Sequence, residues 1–128
     1  FVLAPMAGIT NLPFRRLMRE LGASLGVSEL ASATGIRHGS RNTDRLLALH
    51  EAERPVGLQI FGESEADLVF GAQDVERRGA DFVDLNLGCP VQKIVTKGAG
   101  AALCRNPAEL GVILRAMVKA VRIPVTIK

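Results

Sequence analysis

Short apolar runs rich in β-branched residues alternate along this chain with longer stretches in which apolar residues recur every three or four positions. The short runs predict parallel strands, because a strand covered by helices on both faces is apolar throughout its length. The predicted strands are Phe1–Ala4, Ser24–Ser28, Val56–Phe61, Asp81–Asn86 and Val125–Lys128.

The longer stretches predict four helices between these strands. The last begins after Asn106, a good capping residue, with Pro107 in its first turn and Glu109 completing a start that resembles a capping box. Its apolar residues form one stripe at spacings of three and four: Leu110, Ile113, Leu114, Met117, Val118 and Val121. The other helices are predicted over 13–22, 42–50 and 64–78.

Repeated βα units predict a parallel α/β sheet that is either doubly wound or closed into a barrel. A dinucleotide-binding sheet would carry G-x-G-x-x-G after its first strand, whereas this chain has Pro5-Met6-Ala7-Gly8 there. A complete eight-fold barrel needs roughly 250 residues. Five predicted strands in 128 residues therefore indicate a partial TIM (β/α)8 barrel of five parallel strands and four helices.

Composition limits the class of protein and its compartment. Hydrophobic residues make up 48% of the chain, and no apolar run approaches the roughly 18 residues of a membrane span. The net charge of +3 permits an anionic partner such as nucleic acid without requiring one. The cysteines lack the spacing of a disulfide framework or zinc site, and both histidines are isolated, so we expect no metal and a reducing, cytoplasmic setting.

Functional residues of β/α barrels follow the carboxyl ends of the strands. Cys89 has the strongest chemical case there, because it lies in a loop and a free thiol is mostly protonated at neutral pH and can donate a proton. The alternative is a small buried hydrophobic residue, and spacing alone favours neither. Gln59 either satisfies buried backbone groups or binds a ligand, and Asn86 would cap or brace the next loop. Lys128 would contact a cofactor, form a Schiff base or be an ordinary lysine.

Other polar segments also have two interpretations. The glycine-rich loop 88–100, with Lys93 and Lys97, is either a mobile loop that meets an anionic substrate or a solvated connection. Basic residues from Arg37 to Arg45 would contact phosphates or, in the favoured interpretation, be solvated. We predict that Cys104 packs in an apolar stretch. Three arginines of the first helix are predicted surface charges: Arg15, Arg16 and Arg19.

Three stretches resemble motifs of the tRNA-dihydrouridine synthase family, nearest to its bacterial B-type branch. They are LAPMAGIT from Leu3 to Thr10, LQIFG from Leu58 to Gly62, and DLNLGCP from Asp84 to Pro90, the last followed by Lys93 and by the segment 98–103. The third motif is highly specific, whereas the first two are shared with other flavin barrels. The resemblance covers the whole chain, and Asn11 departs from the Asp that the family often has.

The resemblance implies an FMN-containing barrel that uses NADPH to reduce uridine in tRNA to 5,6-dihydrouridine. Reduced flavin would pass hydride to C6 of the uracil, and Cys89 would protonate C5 from the opposite face. The residues that match cofactor-binding positions are Pro5, Met6, Ala7, Gln59 and Lys128. Asn86 matches an asparagine near the substrate base, and Lys93 belongs to the same motif and is assigned to substrate binding.

Both ends of the chain are apolar, which predicts an excised piece. The resemblance implies that residues 1–128 are the N-terminal portion of a flavin-binding barrel, without the remaining strands and a helical tRNA-binding domain. Late-strand loops usually hold the flavin phosphate in such barrels. We therefore expect this piece alone to bind FMN weakly or not at all and to be inactive.

Three other functions remain as alternatives. An FMN-dependent dehydrogenase of a free pyrimidine, such as a dihydroorotate dehydrogenase, would also place Gln and Lys near a flavin, but the motif 86–90 with Lys93 argues against it. An aldolase-like barrel would use Lys128 as its Schiff base. A non-enzymatic RNA-binding module is disfavoured by the modest charge and by the absence of Trp and Tyr.

Overall fold

A computed structural model describes all residues from 1 to 128. Its centre is an open sheet of six strands, all paired in parallel. The strands are β1 (Val2–Leu3), β2 (Leu25–Val27), β3 (Ala31–Ser32), β4 (Val56–Phe61), β5 (Phe82–Leu85) and β6 (Val125–Ile127). Strands β2 and β3 pair with the first and second halves of β4, so together they act as one interrupted strand.

Helices connect the strands. They are α1 (Leu12–Glu20), α2 (Ala33–Arg37), α3 (Arg41–Leu46), α4 (Glu65–Arg77), α5 (Gln92–Val95) and α6 (Pro107–Ala120), with 3-10 turns at Glu51–Glu53 and Gly100–Arg105. The strand order β1-β2-β4-β5-β6 never reverses. A doubly wound sheet reverses its order at a switch point, so this arrangement confirms the predicted part of a TIM barrel.

The core lies between the sheet and its helices. Leu58, Ile60, Val83 and Leu85 alternate along β4 and β5, are 0% exposed, and belong to the same cluster as the buried residues of α4 and α6. Burying each such side chain stabilises the fold by about 1.5–3 kcal/mol. Because successive side chains of a strand point to opposite faces, the residues between them lie on the other, concave face of the sheet.

Capping side chains mark the residues at which the helices begin. The Asn106 side chain accepts a hydrogen bond from the backbone N–H of Glu109 at 3.3 Å, and Ser64 accepts one from Asp67 at 3.4 Å. Helix α1 begins in the same way, with Asn11 accepting from Phe14 at 3.1 Å. These bonds confirm the helix starts that the sequence predicts.

Several predicted boundaries are wrong. The helix predicted over 42–50 ends at Leu46, and a separate 3-10 turn covers Glu51–Glu53. Strand β3 and helix α2 were not predicted, because two-residue and five-residue elements are too short to show a period. The segment 88–100 contains helix α5, and Ala99 and Gly100 are buried. Val118, which the predicted stripe of α6 includes, is 58% exposed.

Two side-chain predictions are also corrected. Arg15 is not a surface charge, because its side chain is 2% exposed and paired with Glu53, a residue that helix α1 meets only through tertiary packing. Cys104 does not pack in the core and is exposed. The turn Gly100–Arg105 buries Leu103 instead, and the Cys104 thiol donates to the Leu87 carbonyl at 3.6 Å.

Candidate functional site

The segment that follows β5 carries the candidate cysteine. Asn86 and Leu87 are buried, Gly88 and Pro90 are exposed, and Cys89 is a half-buried free thiol. The Asn86 side-chain oxygen accepts a hydrogen bond from the backbone N–H of Cys89 at 3.0 Å, and the Cys89 carbonyl accepts one from Ala101 at 3.3 Å. Asn86 therefore braces the loop as predicted, and the backbone of Cys89 is held from both sides.

A chain of side-chain hydrogen bonds runs from β6 to this segment across the concave face. Thr126 donates its hydroxyl to Asp84 Oδ1 at 2.6 Å, and the Gln59 amide donates to Asp84 Oδ2 at 2.6 Å. Asn86 Nδ2 in turn donates to Gln59 Oε1 at 3.2 Å. Gln59 is 1% exposed and Asp84 is 5% exposed. The partners of the Gln59 amide are thus side chains and not backbone groups.

The loop after β1 is held by two polar side chains. The Thr10 hydroxyl bonds to both backbone groups of Met6, at 3.0 Å to the N–H and 3.1 Å to the carbonyl. The Glu29 carboxylate accepts a hydrogen bond from the Gly8 N–H. Gly8 has φ +77°, a conformation that favours glycine. This loop presents Met6 and Ala7 to solvent beside the half-buried Pro5.

Pro5 and Lys128 line one concave cavity of 660 Å³, together with Asp84 and Thr126. Most of the remaining wall comes from apolar side chains of the strands and their flanks: Val2, Leu25, Val27, Phe82 and Pro124. The Lys128 backbone bonds to Leu85 and Leu87 at 3.1 and 2.8 Å, so the end of β6 lies beside the cysteine segment. Gln59 does not line this cavity and contacts it through Asp84.

Lys93 does not line the concave cavity that contains Lys128. It is exposed on α5 and lines a separate cavity of 440 Å³ with His38 and Lys97. At the edge of that cavity the hydroxyl of Thr34 donates to Asp67 at 2.7 Å, and Arg37 donates to the same carboxylate at 2.8 Å. These two hydrogen bonds, the Thr34 bond foremost, hold the pKa of the Asp67 carboxyl below its ordinary value.

The sequence patterns do not single out Asp84 and Thr126 as members of the site. A signal for Asp84 was present, because it interrupts an apolar strand and lies two residues before Asn86, on the same face. It is also the direct register partner of Gln59 on β4. Three or more His, Cys, Asp or Glu side chains do not converge anywhere on a possible metal position. The helices all fall short of the length and apolar character that a membrane crossing requires.

Residues 2–128 match the family model described as "Dihydrouridine synthase (Dus)". The chain belongs to the dihydrouridine synthase family. This membership confirms the resemblance carried by the three motifs. Cys89 and the side chains bonded to its segment therefore lie in a member of this family whose sheet has the strand order of a barrel.

Curated relatives agree with this family. A tRNA-dihydrouridine synthase B of Pseudomonas aeruginosa is 44% identical in an alignment 128 positions long that covers 99% of this chain and 38% of the relative. A probable tRNA-dihydrouridine synthase of Rhodobacter capsulatus is 42% identical over 99% of this chain and 40% of the relative. A fungal tRNA-dihydrouridine(47) synthase, NAD(P)(+), from Cryptococcus neoformans is 39% identical over 98% of the chain and 18% of the relative. The chain therefore spans less than half the length of these relatives.

Proposed function

We propose that this chain supplies the proton-donating cysteine and part of the cofactor site of a tRNA-dihydrouridine synthase, which reduces uridine in tRNA to 5,6-dihydrouridine. The observation that carries the proposal is the position of Cys89, a half-buried free thiol in the loop after β5 whose backbone is held by Asn86. Family membership and the names of the relatives support this assignment.

The residues at the carboxyl end of the concave face fit FMN. Pro5 and Lys128 lie there, where β/α barrels bind their ligands, and Lys128 supplies a cation for the cofactor. Gln59 uses one N–H for Asp84 and one oxygen lone pair for Asn86, which leaves one donor and one acceptor for a ligand. When bound and reduced by NADPH, FMN supplies the hydride that adds to C6 of the uracil.

Five residues would hold this cofactor. Pro5, Met6 and Ala7 would lie against the flat ring, and Gln59 and Lys128 would bond to its pyrimidine edge. The ammonium of Lys128 would stabilise negative charge at that edge, because a fixed positive group is most effective where charge accumulates. The loop that carries Met6 is braced by hydrogen bonds to Thr10 and Glu29.

Cys89 would act as a general acid towards the substrate. As hydride adds to C6, the C5–C6 π electrons move to C5, the S–H bond of Cys89 breaks and its proton bonds to C5. The resulting thiolate then takes a proton from water, which the half-exposed position of Cys89 allows. Asn86 would keep the thiol in place through the Cys89 backbone and contact the base.

The substrate would be a uridine of folded tRNA. A base must leave its stack to reach an active site of this kind. The exposed ammonium of Lys93, together with Lys97 in the same cavity, would bind the phosphates on either side of that base. The net charge of +3 supports an anionic partner.

The test uses the whole protein that carries this chain. The purified protein is incubated with NADPH and unmodified tRNA transcripts, and dihydrouridine is measured by mass spectrometry of the digested tRNA. We expect a yellow protein that forms dihydrouridine at a defined position only when NADPH is present. Parallel reactions with orotate and dihydroorotate distinguish a free-pyrimidine dehydrogenase. Turnover of those compounds without any dihydrouridine in tRNA would contradict the proposal, as would borohydride trapping of a carbonyl substrate on Lys128.

A further inference from the structure

The chain of buried hydrogen bonds from Asp84 to Cys89 ends in two groups, one of which only accepts and one of which only donates. At one end the Asp84 carboxylate accepts at both oxygens, from Thr126 and from Gln59, each at 2.6 Å. At the other end is the backbone N–H of Cys89, which can only donate and bonds to Asn86 at 3.0 Å. An acceptor that cannot donate and a donor that cannot accept therefore enclose two side-chain amides.

Only one orientation of the two amides satisfies this arrangement. Gln59 must turn its NH₂ towards Asp84, so its oxygen faces Asn86 and accepts from Asn86 Nδ2 at 3.2 Å. Asn86 then has its oxygen directed at Cys89. Reversing either amide would place two donors or two acceptors face to face in a region where both side chains are less than a tenth exposed. An unpaired buried polar group is costly, so the carboxylate determines the direction of the whole chain.

We propose that Asp84 is a positioning residue that fixes the amide orientations of Gln59 and Asn86 and, through them, the backbone of Cys89. Asp84 need not touch the uracil to have this effect. The inference rests on the proposed function only for its catalytic consequence, because the effect on the Cys89 backbone holds whatever the substrate is. Thr126 belongs to the same hydrogen-bonded network, since its hydroxyl donates to the second oxygen of the Asp84 carboxylate.

The consequence for the reaction follows from geometry. A proton donor must lie within hydrogen-bond reach of the atom that it protonates, and a misplacement of about 1 Å can slow a reaction about a hundredfold. An asparagine at position 84 has the same shape as the native aspartate but offers both a donor and an acceptor. It would allow Gln59 to reverse, which turns the Asn86 amine towards the Cys89 N–H and breaks their bond.

The experiment compares Asp84→Asn with Asp74→Asn in the whole protein with its cofactor. Asp74 is a matched control because it lies on α4, outside the concave cavity, and also loses two bonds, one to Arg77 at 3.1 Å and one to Arg78 at 2.5 Å. Selective ¹⁵N-cysteine labelling reports amide hydrogen exchange at Cys89, and the signal is assigned by its loss in Cys89→Ser. The kcat and KM for tRNA are measured in the same samples.

We expect Asp84→Asn to accelerate exchange at the Cys89 amide about tenfold, the effect of losing one hydrogen bond. We also expect it to lower kcat between about tenfold and a hundredfold with little change in the KM for tRNA. Asp74→Asn should lower the melting temperature while leaving Cys89 exchange and kcat near their wild-type values. Unchanged exchange in Asp84→Asn overturns the proposal, and so does an equal acceleration in both variants, which would indicate general loss of stability.

A second pair of variants covers the case in which Asp84→Asn does not fold. Thr126 is largely exposed, and Thr126→Val removes the hydroxyl whereas Thr126→Ser retains it. Faster exchange at Cys89 in Thr126→Val but not in Thr126→Ser supports the proposal, and identical behaviour of the pair refutes it. A wild-type protein that makes no dihydrouridine, yet shows the expected exchange pattern, would contradict the proposed function and leave the positioning role of Asp84 intact.

Discussion

Arg15 and Glu53 form a buried ion pair between helix α1 and the 3-10 turn before β4. Arg15 Nε donates to Glu53 Oε2 at 2.6 Å, and the side chains are 2% and 0% exposed. The same guanidinium donates to the carbonyls of Thr10 and Ala48 at 2.9 and 2.8 Å. Arg15 therefore joins the turn before β4 to Thr10, the residue that braces the loop at Met6.

Removing Arg15 should destabilise the protein strongly. Arg15→Met leaves the Glu53 carboxylate buried without its partner, and breaking such a pair costs about 3–5 kcal/mol of the free energy of unfolding. Arg15→Lys should lose much of the same stability, because an ammonium lacks the planar fork of donors. Urea denaturation measures both. The control is Arg41→Met, an exposed arginine of α3; a loss no larger than this control shows would contradict a structural role for Arg15.

Gly57 on β4 should not tolerate alanine. A Cβ at this position would overlap the ring of Phe82, the direct register partner on β5. Forcing an extra methyl into a packed region costs about 1–3 kcal/mol. The double variant Gly57→Ala with Phe82→Ala should be more stable than the sum of the two single losses predicts. Gly26→Ala on β2 is the control, because its nearest atom would be 3.8 Å away. Strict additivity in the double variant would show that the overlap is relieved without cost.

Asp67 should make the free energy of unfolding depend on pH in the acid range. Its pKa is lowered in the folded protein by the hydrogen bond from Thr34 and by Arg37. A carboxyl with a depressed folded pKa stabilises the fold above its unfolded pKa of about 3.9, and that stabilisation is lost as the pH falls towards the folded value. The stability difference between wild type and Asp67→Asn, measured by urea denaturation, should therefore be largest near neutral pH and shrink below about pH 4.

The control for this pH dependence is Glu65→Gln. Glu65 is an exposed acidic residue in the same first turn of α4, so the variant removes one charge there while keeping the Thr34–Asp67 bond. Its stability difference from wild type should be small at every pH. A Glu65→Gln profile with the same shape as that of Asp67→Asn would point to the general charge of the helix terminus instead of the specific bond.

The two cysteines should differ in their effect on the reaction. If Cys89 donates the proton to C5, Cys89→Ala should slow dihydrouridine formation by about 10²- to 10⁴-fold, the range of general acid catalysis. NADPH-dependent reduction of the flavin, followed by its absorbance, should continue. Cys104→Ala should form dihydrouridine at the wild-type rate, because Cys104 is exposed and lies outside the cavity with Lys128. Equal rates in the two variants would remove the proposed role of Cys89.

Local patterns predicted much of the fold. The strand Val56–Phe61 has the predicted bounds, because a run between a proline and a glycine that is apolar except for Gln59 is a purely local signal. Helix α6 begins where Asn106 and Pro107 place it. The elements between 31 and 53 were predicted poorly. They are short, and their positions depend on pairing with β4 and on packing against α1 and α4 rather than on any period.

The sequence predicted only that the site residues follow the carboxyl ends of the strands. Alternation of strands and helices placed Gln59, Asn86, Cys89 and Lys128 at one edge of the sheet, since parallel strands share a carboxyl edge. The sequence by itself thus determined the order of the elements, the barrel class and the motif that identifies the family.

Tertiary structure alone decided the partners of the buried polar groups. Gln59 bonds to Asp84 across 25 residues of sequence, and Arg15 bonds to Glu53 across 38. Such pairs form because a buried donor or acceptor must find a partner once water is excluded, and the nearest partner is set by strand register and helix packing. The periodicity of the sequence does not indicate which buried groups become partners. The hydrogen-bonded link from Asp84 to Cys89 is therefore visible only in the folded chain.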